Sequence, residues 1–109
     1  MIKSAKNTII LIDNYIDESV LLLLAKRNNK VKVTIYTDKI DNQVQQDIEK
    51  YNKQYSPITI KLFKKSHDRF LIIDQQNVYH IGASLKDLGK KWFAFSKMNM
   101  NPNEIISKL

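Results

Sequence analysis

An α/β domain built on a mixed β-sheet flanked by helices is the fold class this sequence predicts, and three observations predict it. Val31, Val33 and Ile35 alternate with Lys32 and Thr34, the period of a strand with one buried face. Ile40, Val44, Ile48 and Tyr51 recur at a spacing of three to four, the period of a helix with one apolar side. Two short apolar runs, Phe70 to Ile73 and Val78 to Ile81, are separated by the polar break Gln75-Gln76-Asn77, the outline of a hairpin.

Taken in order, Thr8 to Ile12 is a short apolar run ending at Asp13-Asn14, which predicts a buried first strand followed by a polar turn. Asp17-Glu18-Ser19 opens a helix with the body Val20 to Lys26, apolar on several sides and so expected to pack on the sheet. Arg27-Asn28-Asn29-Lys30 is a basic helix end and loop before the strand at Val31. These three elements predict a βαβ unit with a parallel crossover. Asp41 to Tyr55 is the one-faced helix, stopped by Ser56-Pro57, and Ile58 to Phe63 returns to strand alternation. The hairpin follows. Leu85 to Lys91 reads as a basic, turn-rich loop, Trp92 to Ser96 as a further strand, and Pro102 to Leu109 as a terminal helical turn. No internal repeat, linker or low-complexity stretch divides the chain, so one domain over 1–109 is expected, whether whole or a piece of a longer protein.

Composition narrows the partners. Eighteen Lys and Arg against 11 Asp and Glu give a net charge of +7, which favours polyanions, nucleic acid first and acidic membrane surfaces second. With no cysteine there is no disulfide framework and no thiolate metal site, and two histidines are too few for an ordinary His-built zinc site, so no metal or other cofactor is expected. The N-terminal residues lack the basic, apolar and small-residue regions of a signal peptide, and Leu21 to Leu24 is too short to span a bilayer. A cytoplasmic protein is the expectation.

Function is concentrated in Ser66-His67-Asp68-Arg69-Phe70-Leu71-Ile72-Ile73-Asp74. His67, Arg69 and Asp74 bracket the apolar run, and alternate strand residues share a face, so His67 and Arg69 are expected to point the same way. If the loop is Gln75-Gln76, Asp74 pairs with Asn77, Gly82 stands opposite Arg69 and Ser84 opposite His67; a longer loop stays open, since Gln-Gln lacks the usual glycine. In the two-residue register His80 shares the His67 face, but inside an apolar strand it reads as a hydrogen-bonded core histidine. Lys64, Lys65, Lys86, Lys90 and Lys91 flank the stretch in sequence and read equally as a funnel for a polyanion or as solubilising lysines. Trp92, Phe93 and Phe95 read as core before base-stacking, and Asp68 and Asp87 as solvated or turn residues.

His67, Arg69 and Asp74, followed by Gly82-Ala83-Ser84, resemble the HxKxxxxD signature and trailing GS of the phospholipase D superfamily. The resemblance implies a phospholipase D-like half-domain in which His67 attacks a phosphodiester, Arg69 and Ser84 stabilise the phosphate charge and Asp74 supports the site. Because the chain carries one copy of the motif, it implies a homodimer, as in the small single-motif bacterial nucleases of that family. Arg69 stands where the family has lysine, Lys86 where it often has asparagine, and Trp92 to Met98 offers no match for the acidic residue that orients the histidine.

The leading expectation is therefore a metal-independent phosphodiesterase, a nuclease, with the histidine nucleophile at a homodimer interface. His67, Arg69, Asp74 and Ser84 form its catalytic set, and Arg69, Lys65, Lys86, Lys90 and Lys91 bind nucleic acid, DNA ahead of RNA. The alternative is a catalytically weak or inactive phospholipase D-like nucleic-acid-binding module, which the substituted positions favour. Action on phospholipid headgroups is a third reading, opposed by the absence of an amphipathic membrane helix.

Overall fold

In the computed structural model, which describes residues 2–64, 69–81 and 95–109, six strands form one mixed sheet in the order β3-β2-β1-β4-β5-β6. The strands are β1 (Thr8–Ile12), β2 (Lys32–Thr37), β3 (Ile58–Leu62), β4 (Phe70–Ile73), β5 (Asn77–Ile81) and β6 (Phe95–Met98). Helix α1 (Glu18–Leu24) joins β1 to β2, α2 (Asn42–Gln54) joins β2 to β3, and a short α3 (Asn103–Ile106) closes the chain after a 3-10 turn at Ile2–Ser4 has opened it. The α/β class and the predicted element order hold. Trp92, Phe93 and Ala94 of the last predicted strand lie outside the described residues.

Each helix begins where its sequence says it must. Asp17 and Asp41 sit in extended backbone and accept the N–H groups of Val20 (3.3 Å) and Val44 (2.9 Å), donors the first turn cannot otherwise satisfy. The apolar spacing of α2 then buries Val44, Ile48 and Tyr51, and α1 buries Val20, Leu21 and Leu24. Burial of each such side chain stabilises the fold by roughly 1.5–3 kcal/mol. Both helices cover the same sheet face, formed by Ile9 and Leu11 of β1, Val33 and Ile35 of β2, and Leu71 and Ile73 of β4. The other face carries Ile10, Ile12, Ile72 and Val78, with Phe70 and the C-terminal Met100, Ile105, Ile106 and Leu109 packed on them.

β1, β2 and β3 are parallel, as successive βαβ crossovers require, and β4 then runs antiparallel to β1 on its other side. The central strand β1 is thus where the parallel half meets the hairpin half. Its carboxyl end lies at the same sheet edge as the ends of β2 and β3, the start of β4, the end of β5 and the start of β6. Lys64 and Arg69, and Ile81 and Phe95, the described residues on either side of the two undescribed stretches, therefore gather at that edge.

The hairpin register differs from the two-residue loop. Ile73 pairs with Asn77 and Phe70 with His80, so the loop is Asp74-Gln75-Gln76, closed by the Gln76 N–H on the Ile73 carbonyl at 3.0 Å. Asp74 and Gln75 both have a φ of 56°, the left-handed conformation that turns a hairpin and that asparagine, aspartate and glycine adopt most readily. The one-residue shift sets Ile81, not Gly82, level with Arg69, and exchanges the faces of β5. His80 consequently lies on the Phe70 face, its ring edge-on to Phe70 at 5.5 Å, and not on the face of Arg69.

Candidate functional site

The carboxyl edge of β1 brings together a buried carboxylate and a partly exposed guanidinium. Asp13, the residue after β1, is 1% exposed and continues the helix-side face of Ile9 and Leu11. Its backbone N–H donates to the Tyr36 carbonyl at 3.1 Å, extending the β1–β2 ladder by one rung, and Oδ1 accepts the Tyr15 N–H at 2.9 Å. Arg69, the residue before β4, is level with Asp13 because Ile12 pairs with Phe70. The Arg69 Nε lies 3.7 Å from Asp13 Oδ1, an ion pair too long for a hydrogen bond. The face of the Tyr15 ring covers the guanidinium, with Arg69 Cζ 4.8 Å from the ring centroid.

This arrangement leaves the guanidinium held from two sides and partly open to solvent: the Arg69 side chain is 29% exposed, whereas that of Asp13 has no exposure. Among the described residues, no hydrogen bond from the Arg69 terminal nitrogens is found, and its contact with Asp13 is made through Nε. A planar fork of this kind takes two oxygens of one phosphate at once. The position agrees with the general behaviour of open α/β sheets, which bind ligands beyond the carboxyl ends of the strands where strand order reverses. Thr37, beside Asp13 across the β1–β2 ladder, has a buried hydroxyl without a hydrogen-bond partner among the described residues. Thr8 at the opposite edge has one too, so this feature alone does not mark a site.

Asp74 is not brought to this cluster. Five residues along an extended strand separate it from Arg69 by about 16 Å, at the opposite edge of the sheet. There its carboxylate accepts the N–H groups of Lys6 (3.0 Å), Asn7 (2.6 Å) and Thr8 (3.0 Å), anchoring the start of β1. The Asn7 N–H lowers its pKa most; burial opposes the shift, and the Lys6 and Thr8 N–H groups add to it. Asp74 thus ties the hairpin to the central strand. His67, Ser84, Lys65, Lys86, Lys90 and Lys91 lie outside the described residues, and of the predicted site residues Arg69 and Asp74 have a described place.

Two groups at the site were not singled out by sequence reasoning. Asp13 reads as part of a polar turn and Tyr15 draws no reading, although an acid directly after a buried apolar run is the pattern of a side chain at a strand's carboxyl end. Among the described residues no cluster of three or more metal-ligating side chains occurs, and no helix is long and apolar enough to cross a membrane. No family model and no curated protein matches the chain.

Proposed function

We propose that the chain is a metal-independent phosphodiesterase of the phospholipase D type, cleaving nucleic acid, with DNA the preferred substrate, at a site shared by two copies. The observation that carries the reading is the partly exposed guanidinium of Arg69, set at the carboxyl edge of the central strand and contacting Asp13 through Nε, in the spacing His67-x-Arg69-x4-Asp74. In this mechanism an imidazole nitrogen of His67 forms a bond to phosphorus as the P–O bond to the leaving group breaks. The second copy's His67 gives that oxygen its proton. Arg69 and Ser84 stabilise the charge on the equatorial oxygens, while Lys65, Lys86, Lys90 and Lys91 hold the flanking strand. Water then attacks phosphorus, the P–N bond breaks, and the phosphate monoester leaves. One motif supplies half of a two-histidine site, so the enzyme is a two-fold homodimer, working in the cytoplasm.

A second reading is a binding module that grips phosphate without turnover. The observation favouring it is that Arg69, in the place of the family's lysine, is already engaged by Asp13 and Tyr15 in the manner of a clamp. Arg69→Lys separates the two. In an enzyme it preserves or raises turnover, because the compact ammonium is the family's residue; in a binder it weakens nucleic-acid affinity several-fold and no cleavage is seen in either protein. Turnover of a generic phosphodiester and affinity for a short labelled DNA, measured on both proteins, decide between them.

A further inference from the structure

Resting on the reading that Arg69 binds phosphate, we infer that Asp13 is a positioning residue for the phosphate-binding arginine, acting with Tyr15 to fix the guanidinium before the substrate arrives. Arginine normally arrives at a phosphate with much side-chain entropy to lose, and restraint in the free protein removes that cost from binding. Here the restraint is built from three directions. Asp13 is fully buried at the end of the central strand and is itself fixed, by its N–H on the Tyr36 carbonyl and by the Tyr15 N–H on its Oδ1. It faces the Nε of Arg69, the one nitrogen that a two-pronged grip through the terminal nitrogens does not use. The Tyr15 ring lies under the guanidinium, with Cζ 4.8 Å from the ring centroid, and the strand start at Phe70 fixes where the side chain begins.

A lysine could not be held in this way. Its ammonium has three donors on one nitrogen at the end of a flexible stem, with no plane to fix, whereas arginine presents separate nitrogens in a rigid fork to Asp13 and the phosphate. Asp13 thus supplies a physical reason for arginine at position 69.

The sign of the effect makes the inference testable. On Coulomb's law alone, removing a carboxylate 3.7 Å from the Arg69 Nε strengthens anion binding; on the positioning account it weakens it. Asp13→Asn keeps an oxygen for the Tyr15 N–H and removes the charge. Affinity for a short fluorescent single-stranded DNA is measured in four proteins: the natural chain, Asp13→Asn, Arg69→Lys and the double variant, each checked for folding by circular dichroism. We expect Asp13→Asn to weaken binding about three- to tenfold when Arg69 is present and to have little effect in the Arg69→Lys background. A parallel set with Tyr15→Leu is expected to show the same dependence on Arg69, and carries the test if Asp13→Asn does not fold. Unchanged or tighter binding by Asp13→Asn, or an equal loss in both backgrounds, overturns the inference and leaves Arg69 as a phosphate ligand. No loss of affinity in an Arg69→Ala variant measured alongside overturns it together with the phosphate-binding role of Arg69 on which it rests.

Discussion

Asp74 shows how one motif position can be legible while its work is not. The spacing from His67 marked it, and the resemblance assigned it a supporting role, but the sequence does not reveal that its support is given to the backbone of Lys6 to Thr8. That contact spans more than sixty residues of sequence and depends on the left-handed backbone at Asp74, which no local pattern specifies. It also makes folding pH-dependent in a definite sense. In the unfolded chain Asp74 takes up its proton near the ordinary 3.8, whereas in the folded chain the N–H groups keep it ionised to lower pH. Between the two values the unfolded state binds more protons, so stability rises with pH there; the contribution is full above 3.8 and is lost as pH falls through the lowered folded value. Asp74→Asn should therefore destabilise the protein by about 1 kcal/mol near neutral pH, a modest figure because the group is partly exposed to solvent. Urea denaturation of both proteins should show that gap closing in strong acid.

Among the elements, β2 and α2 are readable from a single dominant period with one buried face, and β1 and α1 from apolar runs bounded by a polar turn and a capping aspartate. The hairpin was readable as a hairpin but not in register, since the choice between two and three loop residues rests on the backbone angles of Asp74 and Gln75, where the sequence offers no glycine. The β5 faces followed the register, and with them the place of His80. Arg27 reads in sequence as part of a basic helix end and loop, yet it is 5% exposed and fastens α1, α2 and the start of β3 together. Its Nε donates to the Val31 carbonyl, one terminal nitrogen to the Leu24 carbonyl and the Tyr51 hydroxyl oxygen, and the other to the Ser56 carbonyl at 2.7 Å. Only a fork of this width reaches carbonyls on so many sides. Arg27→Lys keeps the charge but leaves acceptors unmet around a buried ammonium, and should cost about 2–3 kcal/mol in urea denaturation. A loss well under about 1 kcal/mol would mean that the lysine recovers those partners.

At the scale of the whole molecule, two halves meet at β1: a parallel βαβαβ half that ends at Leu62 and an antiparallel half that begins beyond Arg69. The charged side chains of Asp13 and Arg69 sit where they join, at the edge where Lys64, Ile81 and Phe95 also lie. The sequence carried the motif and the sheet, but not the pairing across their junction, because Asp13 and Arg69 are 56 residues apart and neither announces the other. On the function proposed here, the chain hydrolyses phosphodiesters with His67 as nucleophile. The most direct test is hydrolysis of bis(p-nitrophenyl) phosphate in excess EDTA by the natural protein and by His67→Ala, with circular dichroism confirming that both are folded. The account predicts slow release of p-nitrophenol by the natural protein, undiminished by EDTA, and none above background by His67→Ala; no release by either, or equal release by both, would contradict it.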